Sequence, residues 1–115
     1  RRDSGEKTFV SLDGIEETVA KMLDDIHDGL YARAKRNLEE NTFPAFSLDE
    51  AKAIQEEKGG FIKTMWCGSL ECEMKMKEEA GMTSRCIPFA QERLGDTCAI
   101  CGKPAQKMIY WGVAY

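Results

Sequence analysis

The first third of the chain carries apolar residues at intervals of three and four, with charged residues on the opposite face. This spacing predicts an amphipathic helix over residues 13–41. Asp13 with Glu16 three positions later forms an acidic capping box at its start, and Pro44 follows its end. A helix of this length exceeds the globular average, so we expect it to link two bodies or pack along a neighbour. Its apolar positions are Ile15, Val19, Met22, Leu23, Ile26, Leu30, Ala34 and Leu38.

The remainder of the chain alternates shorter helical and β-prone patterns. Ser47 and Ser69 are suitable N-caps, and glycines mark the ends of the helices that follow them. The expected order is an α+β fold in which a long N-terminal helix precedes a two-layer sandwich of helices on a small mixed sheet. The predicted elements are a helix from Ser47 to Gly59, a strand over 61–66, a helix from Ser69 to Gly81, and strands over 84–89 and 106–111.

Length and charge narrow the possible functions. A chain of 115 residues predicts one domain with at most a small appendage, and an opening without methionine suggests a fragment or a processed product. The net charge of −4 argues against a protein that coats nucleic acid. No apolar run reaches the length of a membrane span, so we expect no membrane partner and a cytoplasmic location.

Two close cysteine pairs are the main chemical signal. The sequence contains Cys67-x4-Cys72 and Cys98-x2-Cys101, separated by 25 residues. Two pairs flanking a folded insert are typical of a tetrahedral zinc site with four thiolate ligands. Gly102 suits the tight turn after the second pair, whose backbone N–H groups can donate to the sulfur atoms. The sequence therefore predicts one structural zinc ion, held in a knuckle.

Other interpretations of the cysteines explain less. Two disulfides would leave the fifth cysteine unpaired, and no signal peptide indicates an oxidising compartment. A thioredoxin-like redox pair would use Cys98 and Cys101 and leave the first pair without a role. Cys86 has no close cysteine partner and lies in an apolar stretch, so we expect a buried core thiol there.

Catalytic motifs are missing from the sequence. It contains no Gly-rich phosphate loop, no Gly-x-Ser-x-Gly and no His-Glu-x-x-His. The single histidine, His27, lies among aspartates on the polar side of the first helix, where we expect it to be solvated. Four thiolates also fill the zinc coordination shell and leave no position for a reactive water. We therefore expect a structural metal and no catalytic residue in this chain.

These features together resemble a known module. The cysteine spacing and the stretches 59–67, 82–89 and 110–115 are similar to the C-terminal zinc-binding domain of prolyl-tRNA synthetase, in its archaeal/eukaryotic-like form. The opening residues 1–7 are similar to the end of the last strand of the anticodon-binding domain of that enzyme. The resemblance covers essentially the whole chain. It implies an α+β fold similar to the C-terminal domain of translation initiation factor 3.

The resemblance also implies a function. The parent enzyme is a class II aminoacyl-tRNA synthetase that ligates proline to tRNA(Pro), with ATP and Mg bound only in its catalytic domain. Residues 1–12 would be a remnant of the anticodon-binding domain, and 13–115 would be the zinc-binding domain. The family pattern assigns the zinc ligands to Cys67, Cys72, Cys98 and Cys101, and directs the terminal carboxylate of Tyr115 toward the active site. Implied partners are the catalytic and anticodon-binding domains, tRNA(Pro), and a second copy in a homodimer.

A hypothesis from another class is a free-standing zinc-ribbon adaptor that binds RNA or protein. The acidic net charge and the lack of basic residues interleaved with aromatics weigh against it. Salt-dependent binding of tRNA by this chain alone would favour it.

Overall fold

The long N-terminal helix dominates the first of two compact units. A computed structural model describes residues 1–114, and divides the chain into Arg1–Glu39 and a second unit that begins at Glu40. Helix α1 spans Ile15–Glu40, which confirms the predicted helix to within two residues at each end. Gly14, rather than Asp13, stands immediately before it, and its carbonyl accepts a hydrogen bond from the N–H of Thr18 at 3.1 Å. No residue of α1 is buried within the described part of the chain.

The second unit is an α+β fold built on a four-stranded mixed sheet, as the sequence pattern predicts. Strand order is β1-β2-β4-β3, with β1 parallel to β2 and the other neighbours antiparallel. None of the helices among residues 1–114 combines the length and apolarity that crossing a membrane requires. The elements are β1 (Thr42–Pro44), α2 (Leu48–Glu57), β2 (Phe61–Trp66), α3 (Leu70–Ala80), β3 (Met82–Cys86) and β4 (Lys107–Val113).

Side-chain caps fix where α2 and α3 begin. The Ser47 hydroxyl accepts a hydrogen bond from the N–H of Glu50 at 3.1 Å, and the Glu50 carboxylate accepts one from the N–H of Phe46 at 2.8 Å. The Ser69 hydroxyl accepts from the N–H of Glu71 at 3.2 Å. These bonds satisfy donors that the first helical turn leaves free. Both predicted N-caps are therefore confirmed.

One strand was missed and one strand prediction needs correction. β1 was not predicted, because a three-residue strand containing Pro44 is too short to show a β pattern. It pairs with β2 through the α2 crossover, in a β-α-β arrangement. The predicted strand over 84–89 begins earlier and ends sooner, at Met82–Cys86. A bulge between Ser84 and Cys86 and the following Pro88 end its pairing with β4.

The core lies between the sheet and the helices α2 and α3. Alternate residues of β2 and β4 point toward it, and Ile62 and Trp111, which face each other across the two strands, are both fully buried. The indole N–H of Trp111 donates to the hydroxyl of Thr64 at 2.9 Å, so the buried polar groups pair with each other. The buried members of the cluster are Ala45, Leu48, Ala51, Ile62, Met76, Met82, Ile109 and Trp111.

The segment between β3 and β4 is attached to the sheet by side chains. Met65 and Met108 are register partners and are both buried. Beyond the end of β3, the Gln91 side chain takes the place of a strand beside Met108. Its Oε1 accepts the Met108 N–H at 2.7 Å, and its Nε2 donates to the Met108 carbonyl at 3.1 Å. Lys63 and Glu92 add an ion pair at 2.5 Å. These contacts position the chain that leads to the second cysteine pair.

Candidate metal centre

Three structural elements bring the four paired cysteines to one end of the sheet. Cys67 directly follows β2, and Cys72 lies in the first turn of α3, behind the Ser69 cap. Cys98 and Cys101 lie on a turn that precedes β4, and we call this turn the knuckle. Because β2 and β4 are antiparallel neighbours, the end of β2 meets the start of β4, where Trp66 pairs with Lys107. Residues distant in sequence therefore meet at this edge.

The sulfur geometry matches a tetrahedral site. All four Sγ atoms, of Cys67, Cys72, Cys98 and Cys101, lie within 4.8 Å of one another. The Sγ of Cys67 is 3.6 Å from that of Cys72 and 3.7 Å from that of Cys101. Four thiolates around one zinc ion, with Zn–S bonds of about 2.3 Å, would have neighbouring sulfurs about 3.8 Å apart. Two of the sulfur separations thus match the spacing of ligands around a tetrahedral zinc ion, and the others do not exceed 4.8 Å.

The donor set also fits zinc in its chemistry. Soft thiolates select zinc over the hard cations Mg²⁺ and Ca²⁺, which bind oxygen. All five cysteines of the chain are free thiols, so no disulfide competes for the four sulfurs. Four protein ligands close the shell, which suits a structural ion and leaves no open position for substrate.

Burial and hydrogen bonding make the four thiols unequal. Cys72 and Cys98 are buried, with exposed fractions of 6% and 2%, and burial raises the pKa of both thiols. Cys101 is exposed, and the backbone N–H of Lys103 lowers the pKa of its thiol to about 7. Backbone N–H groups of the knuckle also favour the Cys98 thiolate, although burial outweighs them. The turn therefore supplies donors to the sulfurs, as its sequence predicts.

Main-chain hydrogen bonds hold the knuckle to β2. Within the turn, the N–H of Gly102, at a φ of 72°, donates to the Cys98 carbonyl at 2.9 Å. The N–H of Ala99 donates to the Met65 carbonyl at 3.1 Å, and the N–H of Gln106 donates to the Trp66 carbonyl at 2.8 Å. These bonds tie the knuckle to the end of β2 and fix the second cysteine pair relative to the first.

Trp66 helps to fix the first cysteine pair, also through a hydrogen bond. Its indole N–H donates to the carbonyl of Ser69 at 3.2 Å, across the loop that connects Cys67 to Cys72. Neither Trp66 nor Gln91 was among the site residues predicted from sequence. The position of Trp66 directly before Cys67 was the available signal, whereas a glutamine in a loop carries none.

Other residues singled out in the sequence have different outcomes. Cys86 lies in β3 outside the quartet and is exposed, so the prediction of a buried core thiol is wrong. The bulge next to it and its place on an edge strand turn the thiol away from the core. His27 is exposed on α1, as expected. Tyr115, whose terminal carboxylate was assigned a role by resemblance, lies outside the described residues.

Comparison with known proteins places this site in a family. The family described as "Prolyl-tRNA synthetase, C-terminal" matches residues 48–115, which include every strand except β1 and all four clustered cysteines. The chain belongs to the prolyl-tRNA synthetase C-terminal family, and the family predicted from the sequence is confirmed.

Curated relatives agree along the whole chain. A protein named proline–tRNA ligase 2 from a strain of Bacillus cereus is 52% identical over 115 residues, which is all of this chain and 24% of the relative's length. A proline–tRNA ligase from Clostridium novyi is 50% identical over the same share of both proteins. One from a strain of Clostridium botulinum is 52% identical, again over 24% of its length. The chain therefore spans about a quarter of the length of the relatives it matches.

Proposed function

We propose that this chain is the structural zinc-binding C-terminal module of a prolyl-tRNA synthetase, a cytoplasmic class II enzyme that ligates proline to tRNA(Pro) with ATP. The observation that carries the proposal is the convergence of four Sγ atoms within 4.8 Å in a chain of this family. The module itself is non-catalytic. ATP and Mg belong to the catalytic domain of the parent enzyme.

The two cysteine pairs of the module would each supply half of the zinc ligands. Cys67 and Cys72 supply two thiolates from the end of β2 and the start of α3, and Cys98 and Cys101 supply two from the knuckle. A bound zinc ion would act as a cross-link that completes the fold, because its binding free energy is coupled to folding. The cross-link joins β2, α3 and β4 at one end of the sheet. It would keep the module rigid against the rest of the enzyme.

The remaining parts of the proposal follow the family resemblance. Residues 1–12 would complete the anticodon-binding domain and 13–115 would form the zinc-binding domain, with α1 as the link. The carboxylate of Tyr115 would support the active site, and the enzyme would act as a homodimer. The likeness to the C-terminal domain of translation initiation factor 3 is supported by the β-α-β-α-β-β order of the second unit.

Native mass spectrometry of the purified chain tests the metal assignment. We expect one zinc ion per chain, lost together with folded structure after treatment with a strong chelator. The substitution Cys72→Ser should abolish zinc retention, because it removes a buried ligand. Cys86→Ser is the matched control, since Cys86 lies outside the cluster, and it should keep one zinc ion. A folded chain without metal would refute the zinc assignment.

Aminoacylation by the complete synthetase tests the role in the enzyme. We expect the isolated 115-residue chain neither to activate proline nor to hydrolyse ATP. Deletion of Tyr115 from the complete synthetase should lower the rate of prolyl-tRNA formation while the thermal unfolding midpoint stays unchanged. An unchanged rate in that truncation would remove the active-site role of the terminal carboxylate. Submicromolar, salt-dependent binding of tRNA by the isolated chain would favour the RNA-binding adaptor instead.

A further inference from the structure

The four clustered thiols differ in access to solvent. Cys72 and Cys98 are buried, Cys67 is half-buried, and Cys101 is exposed. The two more accessible thiols are also close to each other, with 3.7 Å between their Sγ atoms. The site has two arms: the first cysteine pair at the end of β2, and the second pair in the knuckle. Cys67 belongs to the first arm and Cys101 to the second. An oxidant arriving from solvent would therefore meet a thiol that already has a partner beside it.

We infer that the cluster is an oxidation site at which a hydroperoxide links Cys67 to Cys101 and releases the metal. The inference rests on the zinc site proposed above. It specifies a modification, the residues that carry it and the chemical class of the oxidant. The exposed thiolate reacts first, because access to solvent controls which cysteine an external oxidant reaches.

The reaction balances in two steps. The Cys101 thiolate attacks one oxygen of hydrogen peroxide, the O–O bond breaks, and the products are a sulfenic acid at Cys101 and hydroxide. The Cys67 thiolate then attacks the Cys101 sulfur and displaces a second hydroxide as the disulfide forms. Each sulfur has lost one electron, and the peroxide has gained these two electrons. Two of the four ligands are consumed, so a closed tetrahedral shell can no longer form.

The pairing of Cys67 with Cys101 has a structural consequence that disulfides within either close pair lack. Disulfides within a pair, Cys67–Cys72 or Cys98–Cys101, would leave the two arms unconnected. A Cys67–Cys101 bond joins the arms covalently at the point where the metal would have joined them. The main-chain bonds between the knuckle and β2, such as Gln106 to Trp66, are compatible with this link. We therefore expect metal release without unfolding of the sheet.

Peptide mapping of the zinc-loaded chain tests the pairing directly. Trypsin places the first pair on peptide 64–75 and the second on 94–107, since Lys103 precedes a proline, while Cys86 falls on 86–93. After stoichiometric hydrogen peroxide and alkylation of the remaining thiols, we expect 64–75 cross-linked to 94–107. Fragment ions should place the bond at Cys67 and Cys101. A chromophoric chelator should record one zinc ion released per disulfide, and a dithiol reductant with added zinc should restore the site.

Two variants separate this chemistry from a general loss of structure. Cys101→His keeps a zinc ligand at the position but removes the reactive thiol, so we expect retained zinc and at least roughly tenfold slower release by peroxide. Cys86→Ser should leave both the release rate and the cross-link unchanged. If Cys101→His loses its zinc before treatment, mapping of the unsubstituted chain still decides the pairing.

The outcomes distinguish the two proposals. A cross-link between Cys67 and Cys101 with zinc release supports the inference. Disulfides confined to 64–75 or to 94–107 would overturn it, as would a cross-link between these peptides at any other pair of cysteines. Full zinc retention while Cys86 becomes oxidised would also overturn it. A chain that takes up no zinc before peroxide is added would refute the proposed function and this inference together. Retained zinc after peroxide would refute this inference alone.

Discussion

The indole N–H of Trp111 donates a hydrogen bond to the hydroxyl of Thr64 at 2.9 Å, and neither side chain is exposed to solvent. The two residues lie on adjacent antiparallel strands, displaced diagonally from each other's register partners. A tryptophan can be buried this deeply only if its N–H finds an acceptor. The pair therefore fixes β2 against β4 within the core.

Removal of the acceptor should destabilise the fold. Thr64→Val keeps the side-chain shape and leaves the Trp111 N–H buried without a partner, at a cost of about 1–3 kcal/mol. Urea unfolding of the zinc-loaded chain measures the loss. Trp111→Phe and the double variant complete a thermodynamic cycle. Strictly additive effects in that cycle would contradict the importance of the hydrogen bond.

Two adjacent glycines give a second prediction about stability. Gly59 and Gly60 both have positive φ, 69° and 80°, but only at Gly60 would an added Cβ meet backbone, 2.3 Å from the Asn41 carbonyl oxygen. That oxygen accepts the N–H of Phe61 at 2.8 Å, which joins β1 to β2. We expect Gly59→Ala to cost about 1 kcal/mol from φ strain alone, and Gly60→Ala at least twice as much. Equal urea midpoints for the two variants would disprove the close approach.

The hydrogen bonds of the Gln91 side chain lead to a prediction about local dynamics. Gln91→Ala removes both hydrogen bonds to the Met108 backbone, so the Met108 amide should exchange with solvent at least roughly tenfold faster. Stability should fall by about 1 kcal/mol. Glu92→Ala in the same segment removes an ion pair with Lys63 in which the Glu92 side chain is 55% exposed, and it should change stability by less than about 0.5 kcal/mol. An unchanged exchange rate of the Met108 amide in Gln91→Ala would show that the Gln91 hydrogen bonds do not hold this segment to β4.

The affinity for zinc should depend steeply on pH. Burial raises the pKa of the Cys72 and Cys98 thiols, so both carry protons at neutral pH before metal binds and lose them on binding. Acid therefore weakens binding, by roughly tenfold per pH unit for each proton released, or roughly a hundredfold for two. Calorimetric titration in buffers of different ionisation enthalpy counts the protons. A count near zero at neutral pH would contradict thiol ligation.

Local signals in the sequence predict much of this fold. Ser47 and Ser69 define helix starts because capping depends on residues within one turn, and the α1 stripe depends only on periodic spacing. The cysteine spacing likewise predicts the quartet, since ligands to one ion must converge. In the helices, the residues that determine the feature lie close together in the chain. In the quartet, they are ligands that must meet at one ion.

Features that depend on distant partners could not be predicted in this way. β1 exists because β2, reached through α2, offers it an edge, and three residues carry no pattern of their own. The exposure of Cys86 follows from a bulge against β4, which the apolar composition of its neighbours conceals. Gln91 acts on Met108, 17 positions away, through geometry that composition does not encode.

The place of β4 has a consequence for how the protein is made. It comes last of the four strands in the sequence, yet lies between β2 and β3 and is the only link between them in the described sheet. While the chain emerges from the ribosome, β1 and β2 can pair, but β3 has no neighbour until β4 has left the exit tunnel. Late, long-range pairing slows folding and leaves strand edges exposed in the meantime. We therefore expect this sheet to assemble after synthesis of its segment, with the knuckle as the last turn made before the closing strand.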